Sequence, residues 1–153
     1  MKKIIILTVA VLYGLAGMAS GTTDSWVISA KGKMNCKKVS IGISKARIVL
    51  ENGERMAVPL NQINSYSVDN KTFNKMMLYK KGKPTGRMEF MELVKTSSDL
   101  SLYRYDHWNY DAPLPFASVT SYFIYNGDKL HLELNEETFP TVCRFFGLQA
   151  NYR

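Results

Sequence analysis

The chain has 153 residues but only two cysteines and two histidines, and that scarcity excludes several chemistries at once. His107 and His131 have no metal-ligand spacing to each other or to Cys36 and Cys143, so no zinc site of ordinary pattern is written here. The sequence holds no glycine-rich phosphate loop, dinucleotide fingerprint, Gly-x-Ser-x-Gly elbow or His-Glu-x-x-His helix. It therefore implies neither a metal nor an organic cofactor. Long apolar runs are equally scarce. The main one, Ile4 to Val11, is about half of the roughly 20 residues that cross a bilayer.

That run has a different meaning beside its neighbours. Lys2 and Lys3 give it a positive leader, and Gly17, Met18 and Ala19 form the small-x-small site that a signal peptidase reads. Leu15, Ala16 and Gly17 would introduce a lipoprotein cleavage site, but Met18 stands where cysteine is required. A methionine sulfur is already alkylated and offers no thiol for a lipid thioether. The expectation is a secretory signal over residues 1–19 and a single domain over 20–153, against the alternative of an uncleaved signal anchor. The chain would be exported to the periplasm or beyond, with no lipid anchor and no stable membrane span once the signal is removed. Nucleic acid is a poor partner for such a chain.

The domain that remains is not disordered in composition: 46% of residues are hydrophobic and 12% aromatic, enough to build a core. Its charge is uneven. Thr22 to Arg87 carries 13 basic and 4 acidic residues, whereas Met88 to Arg153 carries 5 and 9. A basic face toward an anionic glycan or lipid is one reading; lysines that keep strand edges soluble is the simpler one. Cys36 and Cys143, 107 positions apart in an exported chain, either form a disulfide joining the ends of the domain or serve as two separate small core residues.

The hydrophobic period is mostly two, the period of strands. Val39, Ile41 and Ile43 alternate with Ser40, Gly42 and Ser44. Residues 47–58 read as a hairpin whose Asn52 and Gly53 suit a type I′ turn, and Asn126-Gly127 repeats the device between Ser121 to Tyr125 and Lys129 to Leu134. There Leu130, Leu132 and Leu134 are expected on one face, with His131 and Glu133 on the other. Further strands are expected at Ser65 to Val68, Lys75 to Tyr79, Arg87 to Lys95 and Leu100 to Tyr105. One helix is expected near the C-terminus, capped by Thr138, with Pro140 in its first turn and Gly147 at its end. Turn signals about every ten residues argue for a mainly β fold, an antiparallel sandwich or barrel of about 7–9 strands with one short C-terminal helix.

Candidate binding chemistry is densest in LYRYDHWNYDAPLPF, read as an excursion between strands. Tyr103, Tyr105, Trp108 and Tyr110 offer ring faces to the C–H faces of sugars, while Asp106, His107 and Asp111 offer polar groups for hydroxyls. The competing reading is a long loop held down by burying its own aromatics. Carboxylate pairs for glycoside hydrolysis exist on paper as Glu89 with Glu92 and Asp106 with Asp111, but the required separation of about 5 to 10 Å is easily met by chance.

In KKVSIGISKARIVLENGERMAVPLNQINSYSVDNKTF, GRMEFMELVKTSSDLSLYRYD and CRFFGL, the chain resembles the small exported β-rich proteins of unknown function common in Bacteroidetes. The resemblance spans Lys38 to Gly147 and rests on general pattern. It implies an envelope or extracellular setting and carries over no catalytic residue. Many such proteins are lipidated, and Met18 departs from that pattern. The expectation is a non-enzymatic binding or interaction domain whose partner is a glycan or an envelope protein. The alternatives are a glycan-directed hydrolase using loop carboxylates and a structural or assembly subunit.

Overall fold

A computed structural model of the protein describes residues 25–109, 117–135 and 137–149; the expected signal segment, 1–19, lies outside them. In chain order the strands are β1 (Ser25–Ser29), β2 (Gly32–Ile41), β3 (Lys45–Leu50), β4 (Arg55–Pro59), β5 (Ile63–Val68), β6 (Lys71–Lys80), β7 (Lys83–Ser97), β8 (Leu100–Asn109), β9 (Ala117–Asn126) and β10 (Lys129–Glu133). A single 3-10 turn, Leu60–Gln62, follows β4, and helix α1 (Phe139–Phe145) follows β10. The strands form one antiparallel sheet in the order β10-β9-β8-β7-β6-β5-β1-β2-β3-β4. The architecture is thus mainly β with one short C-terminal helix, as expected. The sandwich or barrel of fewer strands gives way to one open ten-stranded sheet.

The sheet stays open because its halves curl toward opposite faces. β4 and β5 stand four places apart in the strand order, about 19 Å on a flat sheet, whereas the chain from Pro59 to Ile63 reaches at most about 14 Å. The β5-β1-β2-β3-β4 half must therefore curl. Inside the curl lie Val27, Val39, Ala46, Ile48, Val58, Ile63 and Tyr66, with Phe73 stacked on Tyr66 at 4.8 Å. A second cluster, Met76, Met91, Tyr103, Phe123 and Tyr125, fills the other half. Phe90 packs against the first cluster and its neighbour Met91 belongs to the second, so successive side chains on β7 serve opposite faces. At the second half β10 comes round to touch β6, and the Gly82 N–H in the β6–β7 turn donates to Glu133 Oε2 at 3.0 Å. No ladder joins the two strands, so β4 and β10 remain open edges.

The back of the second half is covered by α1, where Phe146 packs with Leu102 and Ile124. The capping side chain is Asn135, whose Oδ1 accepts the N–H groups of Glu137 and Thr138 at 3.1 and 2.9 Å. Thr138 occupies the N-cap position, but its hydroxyl turns back to Asn135. At the far end Gly147 adopts φ 66°, and the Leu148 N–H donates to the Cys143 carbonyl at 2.8 Å, the Schellman arrangement.

Local turn chemistry departs from expectation in informative ways. At the β3–β4 turn only Gly53 has positive φ, and at the β9–β10 turn, which is Gly127-Asp128 because Asn126 still pairs with Lys129, only Gly127 does, so neither is type I′. The residues with paired positive φ are Asp69 with Asn70, and Lys81 with Gly82, each pair closing a two-residue hairpin. A bulge between Leu130 and Leu132 puts Leu130 opposite Tyr125 in the second cluster and Leu132 opposite Ile124 on the helix side. The three leucines therefore do not share a face, because one extra residue reverses the alternation. Cys36 and Cys143 are separate, buried free thiols, on β2 in the first cluster and on α1 respectively. Burial raises both thiol pKa values, which keeps them protonated and unreactive.

Candidate functional site

The stretch read as an excursion is a strand through Asn109, paired with β9 as far as Asn109 with Ala117. Alternation then divides the candidate residues. Tyr103, Tyr105 and His107 point to the concave side of the second half, while Leu102, Arg104, Asp106 and Trp108 occupy the other face. Tyr110 and Asp111 lie outside the described residues.

Tyr103 is core: it is buried, and its hydroxyl accepts from Asn74 Nδ2 at 2.9 Å. Tyr105 and His107 continue outward from it and stack, with ring centroids 5.0 Å apart and planes within 10°. They form part of the wall of an open cleft of about 690 Å³. Tyr79, Thr85, Arg87 and Glu89 come to it from the β6–β7 hairpin, Ser121 and Phe123 from β9, and Glu133 from β10; Asp106 and Trp108 border it. The floor is thus aromatic and the margin polar. Burial pushes the Tyr105 hydroxyl pKa up, the Glu89 carboxylate pushes it further, and Arg87 opposes both. Tyr105 is accordingly a neutral donor and acceptor at physiological pH. His107 Nδ1 is buried and has no hydrogen-bond partner among the described residues.

Side-chain hydrogen bonds stabilise the bulge beside the cleft. A bulge in β6 between Met77 and Tyr79 interrupts the ladder to β7. The Tyr125 hydroxyl donates to the Met77 carbonyl at 2.5 Å, and Thr85 Oγ1 donates to the Leu78 carbonyl at 2.8 Å. Side chains thereby satisfy carbonyls where the ladder is broken. Arg87 and Glu89 pair at 2.6 Å on the rim, and Arg87 is 70% exposed, so the pair adds little stability and its groups remain available to a ligand.

The remaining candidates are used differently. Asp106 accepts from Thr120 Oγ1 at 2.6 Å and pairs with Arg104 at 3.0 Å; Arg104 also pairs with Glu92 at 3.0 Å, and Glu92 with Lys71 at 3.6 Å. This chain of charges crosses three strands on the helix-side face, and Thr120 ties it to a fourth, so Asp106 is a structural partner there. Trp108 is 56% exposed, which removes it from the core. Glu89 and Glu92 lie on opposite faces of β7, paired with Met76 and Phe73 respectively, and do not face one cleft as a hydrolytic pair must. His131 is exposed. Among the described residues no three His, Cys, Asp or Glu side chains gather as metal ligands.

Sequence reasoning weighed Glu89 only as half of a hydrolytic pair and missed Tyr79, Arg87, Phe123 and Glu133. They are scattered over four strands, and only register and curl bring them together. No family model, curated protein or solved structure matches the chain.

Proposed function

We propose that the protein is an exported, non-enzymatic binding domain of the bacterial envelope, and that the cleft beside Tyr105 and His107 receives a glycan segment. The observation that carries this reading is the composition of the cleft: a stacked Tyr–His pair with Tyr79 and Phe123 behind it and the Arg87–Glu89 pair at its rim. Aromatic faces suit the C–H surface of a sugar, and the surrounding charged and hydroxyl groups suit its oxygens. Export is supported by the leader-like segment from Lys2 to Ala19 and by the resemblance to exported β-rich proteins.

The test is calorimetry of the protein against peptidoglycan fragments and capsular and O-antigen oligosaccharides, with His107→Ala and Trp108→Ala as variants. His107→Ala should weaken binding about tenfold or more, a loss of about 1.4 kcal/mol. Trp108→Ala should weaken it less, because its ring lies only at the margin. Absence of binding to every saccharide, together with specific capture of one envelope protein through the same residues, would replace the glycan with a protein partner. A second reading, assembly through strand addition, is favoured by the open edges β4 and β10. A concentration-independent monomer mass would remove self-assembly.

A further inference from the structure

The β2–β3 turn carries two exposed apolar side chains on a protein that otherwise hides most of its large ones. Ile43 is fully exposed at the tip and Ile41 is 36% exposed at the end of β2. Single exposed apolar residues are ordinary. This pair is distinguished by its rigidity and its neighbours. The Gly42 N–H donates to the Lys45 carbonyl and the Leu60 N–H to the Ser44 carbonyl, both at 3.0 Å, so the tip is tied to itself and to the 3-10 turn. A Cβ at position 42 would sit 3.1 Å from the Lys45 carbonyl oxygen, which makes glycine the residue that lets the turn close this tightly.

Behind the tip, the outward face of β2–β4 is basic. Lys38, Lys45, Arg47 and Arg55 surround a shallow groove of about 620 Å³ floored by Val49 and Ala57, with no carboxylate lining it. None of the four forms an ion pair among the described residues. Register sets Arg47 beside Ser40 and Ala57, and Val49 beside Lys38 and Arg55, so Arg47 is a diagonal neighbour of like charge to both Lys38 and Arg55. No ion pair among the described residues relieves their mutual repulsion, which an anionic surface would relieve. The nearest acids along β3, Glu51 and Glu54, sit in the turn at its other end, about 20 Å from Lys45 at roughly 3.4 Å per residue. Positive charge is thus gathered beside the apolar tip and negative charge is kept away from it.

From this juxtaposition we propose that the β2–β3 tip docks the domain on an anionic phospholipid bilayer, Ile43 entering the interface while Lys45, Arg47 and Lys38 contact lipid phosphates. Apolar insertion and cationic attraction act together at such surfaces, and each alone is weak. A soluble polyanion would use the cations but leave Ile43 in water, so the exposed Ile43 favours the membrane. The inference rests on the tip and its charges and is independent of the cleft.

The test places an environment-sensitive fluorophore on Ile43→Cys in the full chain; Cys36 and Cys143, being buried, stay unlabelled under native conditions. Vesicles of phosphatidylglycerol and phosphatidylethanolamine should shift its emission to the blue and protect it from an aqueous quencher. The same dye on Glu54→Cys, at the far end of β3, should show no shift. Charge reversal by Lys45→Glu with Arg47→Glu should abolish the shift, and vesicles of phosphatidylcholine alone should not produce it. Because the readout is local, any affinity of residues 1–24 for lipid does not imitate it. The proposal fails if the dye at position 43 stays in water on anionic vesicles, if it shifts equally on neutral ones, or if both positions shift alike. Salt-reversible binding of polyphosphate without a shift at position 43 on the vesicles would also overturn it, assigning the basic face to a soluble polyanion.

Discussion

Replacing Tyr125 with phenylalanine removes one hydroxyl from the interior of the second half of the sheet and leaves the ring packing in place. Tyr125 is fully buried, and its ring meets Tyr103 edge to face at 5.5 Å and Tyr79 at 6.3 Å. Its hydroxyl is the side-chain donor to the Met77 carbonyl at the β6 bulge, where the ladder to β7 is broken. The variant strands that carbonyl beside an apolar ring, and a buried acceptor left unpaired costs about 1–3 kcal/mol. For a domain of this size a loss of about 2 kcal/mol lowers Tm by roughly 6–8 °C. Urea denaturation should show the midpoint falling with an unchanged slope, because the surface exposed on unfolding is the same. Thr85→Val at the exposed side of the same bulge is the control: water can replace the hydroxyl on the Leu78 carbonyl, and the loss should stay under about 0.5 kcal/mol. A Tyr125→Phe loss equally small would refute the reasoning, since it would mean that the Met77 carbonyl needs no partner from the protein.

Other outcomes follow from the same coordinates. Burial pushes the Tyr66 hydroxyl from an ordinary 10.0 up to about 12, and the Tyr125 hydroxyl also upward, chiefly through burial. The folded state then holds protons that the unfolded state releases, so stability should be intact below about pH 10 and fall as pH rises toward about 12. For Tyr66 alone the shift corresponds to about 3 kcal/mol, measurable by denaturant midpoints across that range. Phe146→Ala should cost about 3–5 kcal/mol, because Phe146 is buried against Leu102 and Ile124 and anchors α1 to the sheet. Gly147→Ala should cost about 1–2 kcal/mol through its left-handed φ, with both variants read by urea denaturation. Thiol titration without reductant should find no reactive group in the native protein and two after denaturation; finding none after denaturation would establish a Cys36–Cys143 bridge.

The candidate site is half legible in the sequence. Tyr105 and His107 stand out by composition, and alternation puts them with Tyr103 on one face. The same alternation sends Asp106 and Trp108 to the other face, so a constellation that is contiguous in sequence is divided by the pleat. The partners that complete the cleft, Tyr79, Arg87, Glu89, Phe123 and Glu133, have no local signature, because each belongs to its own strand's pattern.

By itself the sequence determined what depends on near neighbours. The period-two patterns produced the strands, Gly127 opened one hairpin turn, and Gly147 ended the helix by taking a conformation that residues with a Cβ resist. Only the tertiary structure decided which faces are inside. Phe90 and Met91 are adjacent apolar residues that serve opposite cores, and Leu130 and Leu132 part company at a bulge. Tertiary structure also set β5 beside β1 instead of β4, and with it the curl that makes ten strands an open sheet rather than a barrel. The physical reason is range. Alternation and turn preference act within a few residues, whereas register, bulges and curl are settled by cross-strand partners that the chain brings together only when it folds.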